Sequence, residues 1–124
     1  MTLVEVMIVA VVFLVSALAL LQLLTVSMGY MKRARELDVA ADDMKDVFEK
    51  IKSVGFANVT VAFPNGASVN SSVIGGFSLP DENIAVSYPD PNADPLDIWV
   101  TITWNSVSGR ACSYTFRTRR TRGL

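Results

Sequence analysis

The sequence predicts an α+β protein in which a long N-terminal α-helix packs on a small antiparallel β-sheet. Almost every residue from Val6 to Leu21 is apolar, and up to Val54 apolar residues then recur every three or four positions. After Gly55 apolar and polar residues alternate, and proline and glycine interrupt the pattern. That second pattern is typical of short strands joined by turns.

The first 31 residues predict a helix that is apolar on every side. Between Val6 and Leu21 the one polar residue is Ser16, and beyond Gln22 the segment stays largely apolar as far as Met31. A helix from Val6 to Met31 is about 39 Å long at about 1.5 Å per residue, which is enough to cross a bilayer. We therefore expect residues 1–31 to form a transmembrane or filament-core helix.

Charges around this segment leave its orientation open. A basic cluster, Lys32, Arg33 and Arg35, follows the apolar run, and no positive side chain precedes it. The positive-inside rule by itself places the basic cluster in the cytoplasm. A basic leader removed during maturation would reverse this orientation and place the C-terminal part outside.

Glu5 is the one charged side chain within the apolar run. A carboxylate inside a membrane helix costs about 2.5–3.5 kcal/mol on insertion scales, so it needs a partner. The nearest cation in sequence is the α-amino group of Met1, either in the same chain or, in an assembly, in a neighbouring chain. The alternative is that Glu5 reaches the membrane interface near the helix start, where the helix dipole also favours an anion.

The segment Met1-Thr2-Leu3-Val4-Glu5-Val6-Met7-Ile8-Val9-Ala10 resembles the N-terminal signature of mature type IV pilins and type II secretion pseudopilins. The resemblance covers about the first thirty residues and extends to the rest of the chain only through the architecture of the pilin fold. It implies that a prepilin peptidase removes a short basic leader and methylates the new N-terminus, Met1. It also implies that Glu5 pairs with the N-terminal amine of a neighbouring subunit. Family members usually begin with phenylalanine, and many carry proline where this chain has Gln22.

The same resemblance implies a function and a location. The expected function is a structural subunit of a type IV pilus that serves adhesion, motility, surface attachment or DNA uptake. The subunit would be stored in the bacterial inner membrane, and the pilus assembly machinery would add it to an extracellular homopolymer. The alternatives are a type II secretion pseudopilin, a minor pilin or, from another class, a membrane-anchored binding domain that does not polymerise.

Residues 32–54 predict an amphipathic helix, which begins a globular head formed by residues 32–124. Charged side chains, among them Glu36 and Asp43, are expected on its solvent face, and Gly55 is its predicted end. The predicted buried stripe consists of Leu37, Ala40, Ala41, Met44, Val47, Phe48, Ile51 and Val54.

Residues 55–124 predict a loop region and three or four antiparallel strands. Short strands are expected at 59–63 and 84–88, and the clearest signal is a β-hairpin formed by residues 98–104 and 112–116. Its alternation predicts that one set of side chains faces the helix, namely Ile98, Val100, Ile102, Trp104, Cys112, Tyr114 and Phe116.

Composition excludes several kinds of chemistry. The chain has no histidine and one cysteine, Cys112, so it has neither an intrachain disulfide nor a histidine-based triad. We expect Cys112 to be a small buried hydrophobe rather than a nucleophile. Apart from Glu5, no carboxylate is placed by the sequence in an apolar pocket with a partner. We therefore expect no catalytic activity, no cofactor and no metal site.

The C-terminal part contains an acidic loop with Asp90, Asp94 and Asp97 between prolines. Carboxylate oxygens are calcium ligands, but the spacing lacks the glycine and glutamate of an EF-hand. A solvated acidic loop is therefore the favoured interpretation.

All charged residues after this loop are arginines. We expect these arginines to contact the acidic loop of a neighbouring subunit, although they also suit nucleic acid if an aromatic ring stacks on the bases. Subunit contact is the favoured interpretation, and the residues concerned are Arg117, Arg119, Arg120 and Arg122.

Overall fold

The computed structural model describes residues 2–123. It confirms the α+β prediction, with a 51-residue N-terminal helix followed by a three-stranded antiparallel sheet. The helices are α1 (Leu3–Ser53) and the four-residue α2 (Val59–Ala62), with 3₁₀ turns at Phe56–Asn58 and Ser71–Val73. The strands are β1 (Asn83–Ser87), β2 (Leu96–Asn105) and β3 (Ala111–Arg120), in the order β1-β2-β3.

Helix α1 is continuous through Gln22 and Gly29, so neither residue breaks it. The chain divides into two compact units, Met1–Arg35 and Glu36–Leu124. Within the described part of the first unit, the side chains are almost all exposed. The second unit contains the hydrophobic core.

The core of the second unit lies between the last turns of α1 and one face of the sheet. Ala40, Met44, Val47 and Ile51 recur at helical spacing and are almost completely buried. Every second residue of β2 from Leu96 to Trp104 is also buried, as alternation along a strand requires. This part of the sequence-based prediction is confirmed. The predicted stripe is too wide, however, because Leu37 and Ala41 are exposed.

The predicted strand at residues 59–63 is wrong. These residues form the helix α2, in which Val59 is buried and Val61 is 76% exposed. Val59 and Phe63 lie four residues apart, so one helical turn buries both of them against the core. Apolar residues at positions i and i+4 are compatible with a strand and with a helical turn, so the pattern alone does not distinguish them. The packing of Val59 and Phe63 against the core favours the helix.

The predicted hairpin and the shared face of its side chains are confirmed, but no side chain of the second strand is buried in the core. Trp104 is paired with Cys112, Ile102 with Tyr114 and Val100 with Phe116, so these side chains share the face that the sequence indicated. However, Tyr114 is 48% exposed and Phe116 38%, and Cys112 is only half-buried. The reason is position: β3 is an edge strand, and α1 covers β2 rather than β3.

Tyr88, which follows β1, joins the segment around α2 to the sheet by a hydrogen bond. Its ring is 3% exposed, and its hydroxyl donates a hydrogen bond of 2.9 Å to the carbonyl oxygen of Phe63. Burial raises the pKa of Tyr88 to about 12, so the hydroxyl stays protonated and remains a donor.

We predict that Tyr88→Phe lowers the free energy of unfolding by about 1–3 kcal/mol, because the Phe63 carbonyl loses its donor inside the protein. Tyr114→Phe is the matched control, since Tyr114 is half exposed, and it should change stability by less than about 0.5 kcal/mol. Urea unfolding of a fragment that begins at Met31 measures both. Equal effects of the two substitutions would contradict the role given to the Tyr88 hydroxyl.

Candidate assembly site

Glu5 takes part in a capping box at the start of α1. The backbone N–H of Thr2 donates to Oε2 of Glu5 at 2.8 Å, and the backbone N–H of Glu5 approaches Oγ1 of Thr2 at 3.4 Å. This reciprocal arrangement is the pattern of a threonine N-cap followed three residues later by glutamate. The capping box was not among the predictions from the sequence, although the spacing Thr2-x-x-Glu5 indicates one.

The capping box gives Glu5 a partner inside its own chain while leaving the side chain exposed. Its position at the first turn of the helix also favours a negative charge, because the unpaired N–H groups point toward it. Met1, which the resemblance assigns to the amine contact and to methylation, lies outside the described residues. The amine contact therefore remains a prediction.

The apolar surface that follows Glu5 surrounds the helix completely. Twenty large apolar side chains between Leu3 and Met31 are exposed, each by about half or more. The stretch is long and apolar enough to span a membrane. Two of its polar side chains bond to the helix itself, since the hydroxyl of Ser16 donates to the Val12 carbonyl and that of Thr25 to the Gln22 carbonyl. Such internal bonds lower the cost of placing a hydroxyl in an apolar environment.

The C-terminal arginines contact the acidic segment of their own chain, whose last residue, Asp97, lies in strand β2. Arg119 forms a 2.6 Å ion pair with Asp97, and the backbone N–H of Arg122 donates to Asp94 at 3.2 Å. The hydrogen bond to Asp97 and its charge raise the pKa of Arg119 above its ordinary value. The third member of the loop, Asp90, accepts a bond from the backbone N–H of Asn92.

Two further arginines of this group also have partners within the chain. The guanidinium of Arg117 lies 4.1 Å from the ring centre of Trp99, in cation–π contact. Arg120 donates to the carbonyl of Ile51 at 2.8 Å, which places a cation at the C-terminus of α1. Helix α1 ends two residues before Gly55, whose φ of −59° is open to any residue. Arg120 therefore contributes to the helix end that the sequence assigned to Gly55.

Three carboxylates that the structure buries were not found by sequence reasoning. Glu36 and Asp43, expected on the solvent face of α1, are 9% and 7% exposed, and Glu82 is 7% exposed. The sequence does indicate burial for Glu36 and Asp43, because residues 36, 40, 43 and 47 follow one another at intervals of four, three and four and therefore share one face of the helix. Charge alone predicts exposure, whereas each of these carboxylates accepts hydrogen bonds from donors in the loops.

Glu36 connects α1 with the turn between β2 and β3. Its carboxylate accepts hydrogen bonds from the backbone N–H of Val107 at 3.1 Å and from the hydroxyl of Ser106 at 3.2 Å. The indole N–H of Trp104 lies 3.5 Å from the other oxygen. These donors compensate the charge and fix the hairpin against the helix.

Asp43 and Glu82 meet around Ser78. The backbone N–H groups of Ser78 and Leu79 donate to Oε2 of Glu82 at 3.1 and 2.9 Å, and the Ser78 hydroxyl donates to Asp43 at 3.2 Å. Oε1 of Glu82 is buried and has no partner within residues 2–123. Burial raises the pKa of Glu82 above its ordinary value of 4.5, and the charge of Asp43 raises it further.

A raised pKa means that the folded chain binds this proton more tightly than the unfolded chain. The contribution of Glu82 to stability is therefore complete below pH 4.5 and is lost as the pH rises through its folded-state pKa. Glutamine keeps the acceptor for the two backbone N–H groups and carries no charge. We predict that Glu82→Gln gains stability relative to the native chain as the pH rises from 4.5 to 7.5.

Urea unfolding of the fragment that begins at Met31, at several pH values, tests this prediction. Glu49→Gln is the control, since it removes a carboxylate from the exposed face of α1. A difference between the native chain and Glu82→Gln that does not change with pH would contradict the prediction, because it would mean that folding does not raise the pKa of Glu82.

No protein-family model, curated protein or solved structure matches this chain. The architecture nevertheless has a pilin-like arrangement of elements: a long N-terminal helix whose first part is apolar and whose last part packs on a small antiparallel sheet.

Proposed function

We propose that this chain is a structural subunit of a type IV pilus-like filament, held in a membrane before assembly and polymerised through residues 1–31. The observation that carries the proposal is the apolar surface of α1 between Leu3 and Met31, which the described part of the chain leaves uncovered on all sides. A helix that is apolar all round is stable where lipid or other apolar helices surround it. One membrane helix can satisfy this requirement in the bilayer, and copies of the same helix can satisfy it in a filament.

Glu5 supports polymerisation over simple anchoring. Its carboxylate stands at the start of the apolar surface, where the capping box supplies hydrogen bonds but no side chain among residues 2–123 supplies a positive charge. In a filament the amine of a neighbouring N-terminus would supply the missing positive charge. Because only one stagger between helices brings Glu5 level with that amine, the pair would also set the axial register. The proposed role is structural, and it uses no catalytic group.

The capping box makes it possible to separate two roles of Glu5. Glutamine at N3 preserves a capping box and removes the charge, whereas Thr2→Ala removes the side-chain cap and preserves the charge. We predict that Glu5→Gln reduces filament yield strongly and that Thr2→Ala reduces it little. Loss of a charge-assisted bond of roughly 1.5–3 kcal/mol corresponds to about a ten- to hundredfold change in each assembly equilibrium.

The measurement compares sheared filaments with membrane-held subunit for both variants. Equal membrane levels in all strains control for insertion and folding. Normal filament yield from Glu5→Gln would contradict the charge-pair assignment, and a comparable loss from Thr2→Ala would show that the helix cap is what assembly requires.

A second prediction concerns the apolar surface itself. We predict that a chain lacking residues 1–30 folds as a soluble monomer, because the core of the Glu36–Leu124 unit is retained and the uncovered apolar surface is removed. Circular dichroism and sedimentation measure fold and mass. Filaments formed by this fragment would show that the N-terminal helix is not the polymerisation element.

A further inference from the structure

The two outer edges of the sheet differ in a way that the proposed filament does not explain. The edge of β1 is covered by the chain, because the N–H of Gly66 donates to the Val86 carbonyl and that of Val69 to the Ile84 carbonyl. No strand within residues 2–123 pairs with the outer edge of β3. Strand β3 has ten residues, and none of them is buried. Unpaired edges of this length are templates for another strand.

An apolar trough runs beside this open edge. It lies between Ala41, Met44 and Phe48 of α1 and the rings of Tyr114 and Phe116 of β3, and it includes cavities of about 220 and 420 Å³. The two rings are 4.8 Å apart and partly exposed. A strand added to β3 would direct every second side chain into this trough.

The opposite face of β3 carries positive charge. Arg117 and Arg119 are paired with Trp99 and Asp97 of β2 on the outer face of the sheet, and both arginines are exposed. An added strand would place its remaining side chains beside these two arginines. Asp97 already compensates Arg119, so the charge that most favours a carboxylate is that of Arg117, which lies over the Trp99 ring. The charges around the trough are mixed, because Lys45 and Lys52 alternate there with Glu49 and Asp38. The charge that distinguishes an acidic partner from a basic one therefore lies on the outer face of the sheet.

A second copy of β3 fits this edge poorly. The strand contains three arginines and no acidic residue, so two such edges would bring like charges together. In a second copy, β2 lies between β1 and β3, and the outer edge of β1 is covered by residues 66–69. Neither of these strands therefore has a free edge to offer. Charge complementarity thus favours a segment of a different protein.

We infer that the outer edge of β3 binds an extended peptide segment in which apolar and acidic residues alternate. The apolar side chains fill the trough against Tyr114 and Phe116, and the acidic ones face Arg117 and Arg119. This surface belongs to the Glu36–Leu124 unit and is separate from Glu5, so it does not depend on the proposed polymerisation.

The test uses the full chain in detergent micelles and a fluorescein-labelled peptide of four Val-Glu repeats, with empty micelles as the blank. We expect saturable binding by fluorescence anisotropy. A Val-Lys peptide should bind at least about tenfold more weakly, because its charges oppose the arginines. A peptide of the same composition in the order Val-Val-Glu-Glu should also bind more weakly, because it cannot separate the two kinds of side chain onto two faces.

Two substitutions locate the binding site. Phe116→Ala and Arg117→Glu should each weaken binding of the Val-Glu peptide by at least about tenfold. Their matched controls are Val61→Ala, which removes an exposed apolar side chain elsewhere, and Lys50→Glu, which makes the same charge change on α1. Circular dichroism checks that each variant is folded.

Three results would overturn the inference. The first is no saturable binding of the Val-Glu peptide, and the second is equal binding of the three peptides. The third is a dimer of the chain in micelles that Phe116→Ala dissociates, since this would show that a second copy occupies the edge. Normal filament yield from Glu5→Gln, which would contradict the proposed charge pair, would not affect any of these measurements, so the two proposals fail separately.

Discussion

The first 31 residues present an apolar surface that is unfavourable in water, and the proposed life of the molecule depends on covering it. Twenty large apolar side chains are exposed there among the described residues. At about 1.5 kcal/mol or more for each side chain, burying them is worth roughly 30 kcal/mol, compared with a net stability of about 5–15 kcal/mol for an ordinary domain. Nothing among residues 2–123 covers this surface, and the proposed function is that lipid and then other copies of the helix do so. The proposed cycle of membrane storage and filament assembly keeps it covered at every stage.

The same helix serves a different purpose from Glu36 onward, where it becomes one wall of a small core. Its apolar stripe packs on β1 and β2, and two of its carboxylates, Glu36 and Asp43, accept hydrogen bonds from the loops. Glu36 holds the β2–β3 turn, Asp43 holds Ser78, and Arg120 of β3 reaches back to the carbonyl of Ile51. These polar contacts lie along the length of the packed part of α1, and each joins the helix to a different segment of the sheet or its loops.

Much of the fold could be predicted because its strongest signals are local. The apolar run, the helical stripe around Met44 and the alternation of β2 each reflect a single periodicity, and all three are present. The exposure of Phe116 could not be predicted, since alternation identifies the face of a strand and not whether a helix covers it. The buried state of Glu36 depends on donors seventy positions away. For the assembly site, the charge of Glu5 identified the residue, whereas its cap on Thr2 was not predicted, although the spacing of the two residues indicates a capping box.

Cross-linking along the apolar helix tests the central claim most directly. In a Cys112→Ser background, single cysteines replace Val11, Val12, Phe13 and Leu14 in turn. Successive residues are rotated by about 100°, so these positions sample the whole circumference of α1. A membrane-permeable bifunctional maleimide is applied to intact filaments. If copies of the helix surround one another, all four positions should give cross-linked dimers, the largest product that one cysteine per chain allows. Monomers at every position, or dimers from one position alone, would contradict a filament core built from this helix.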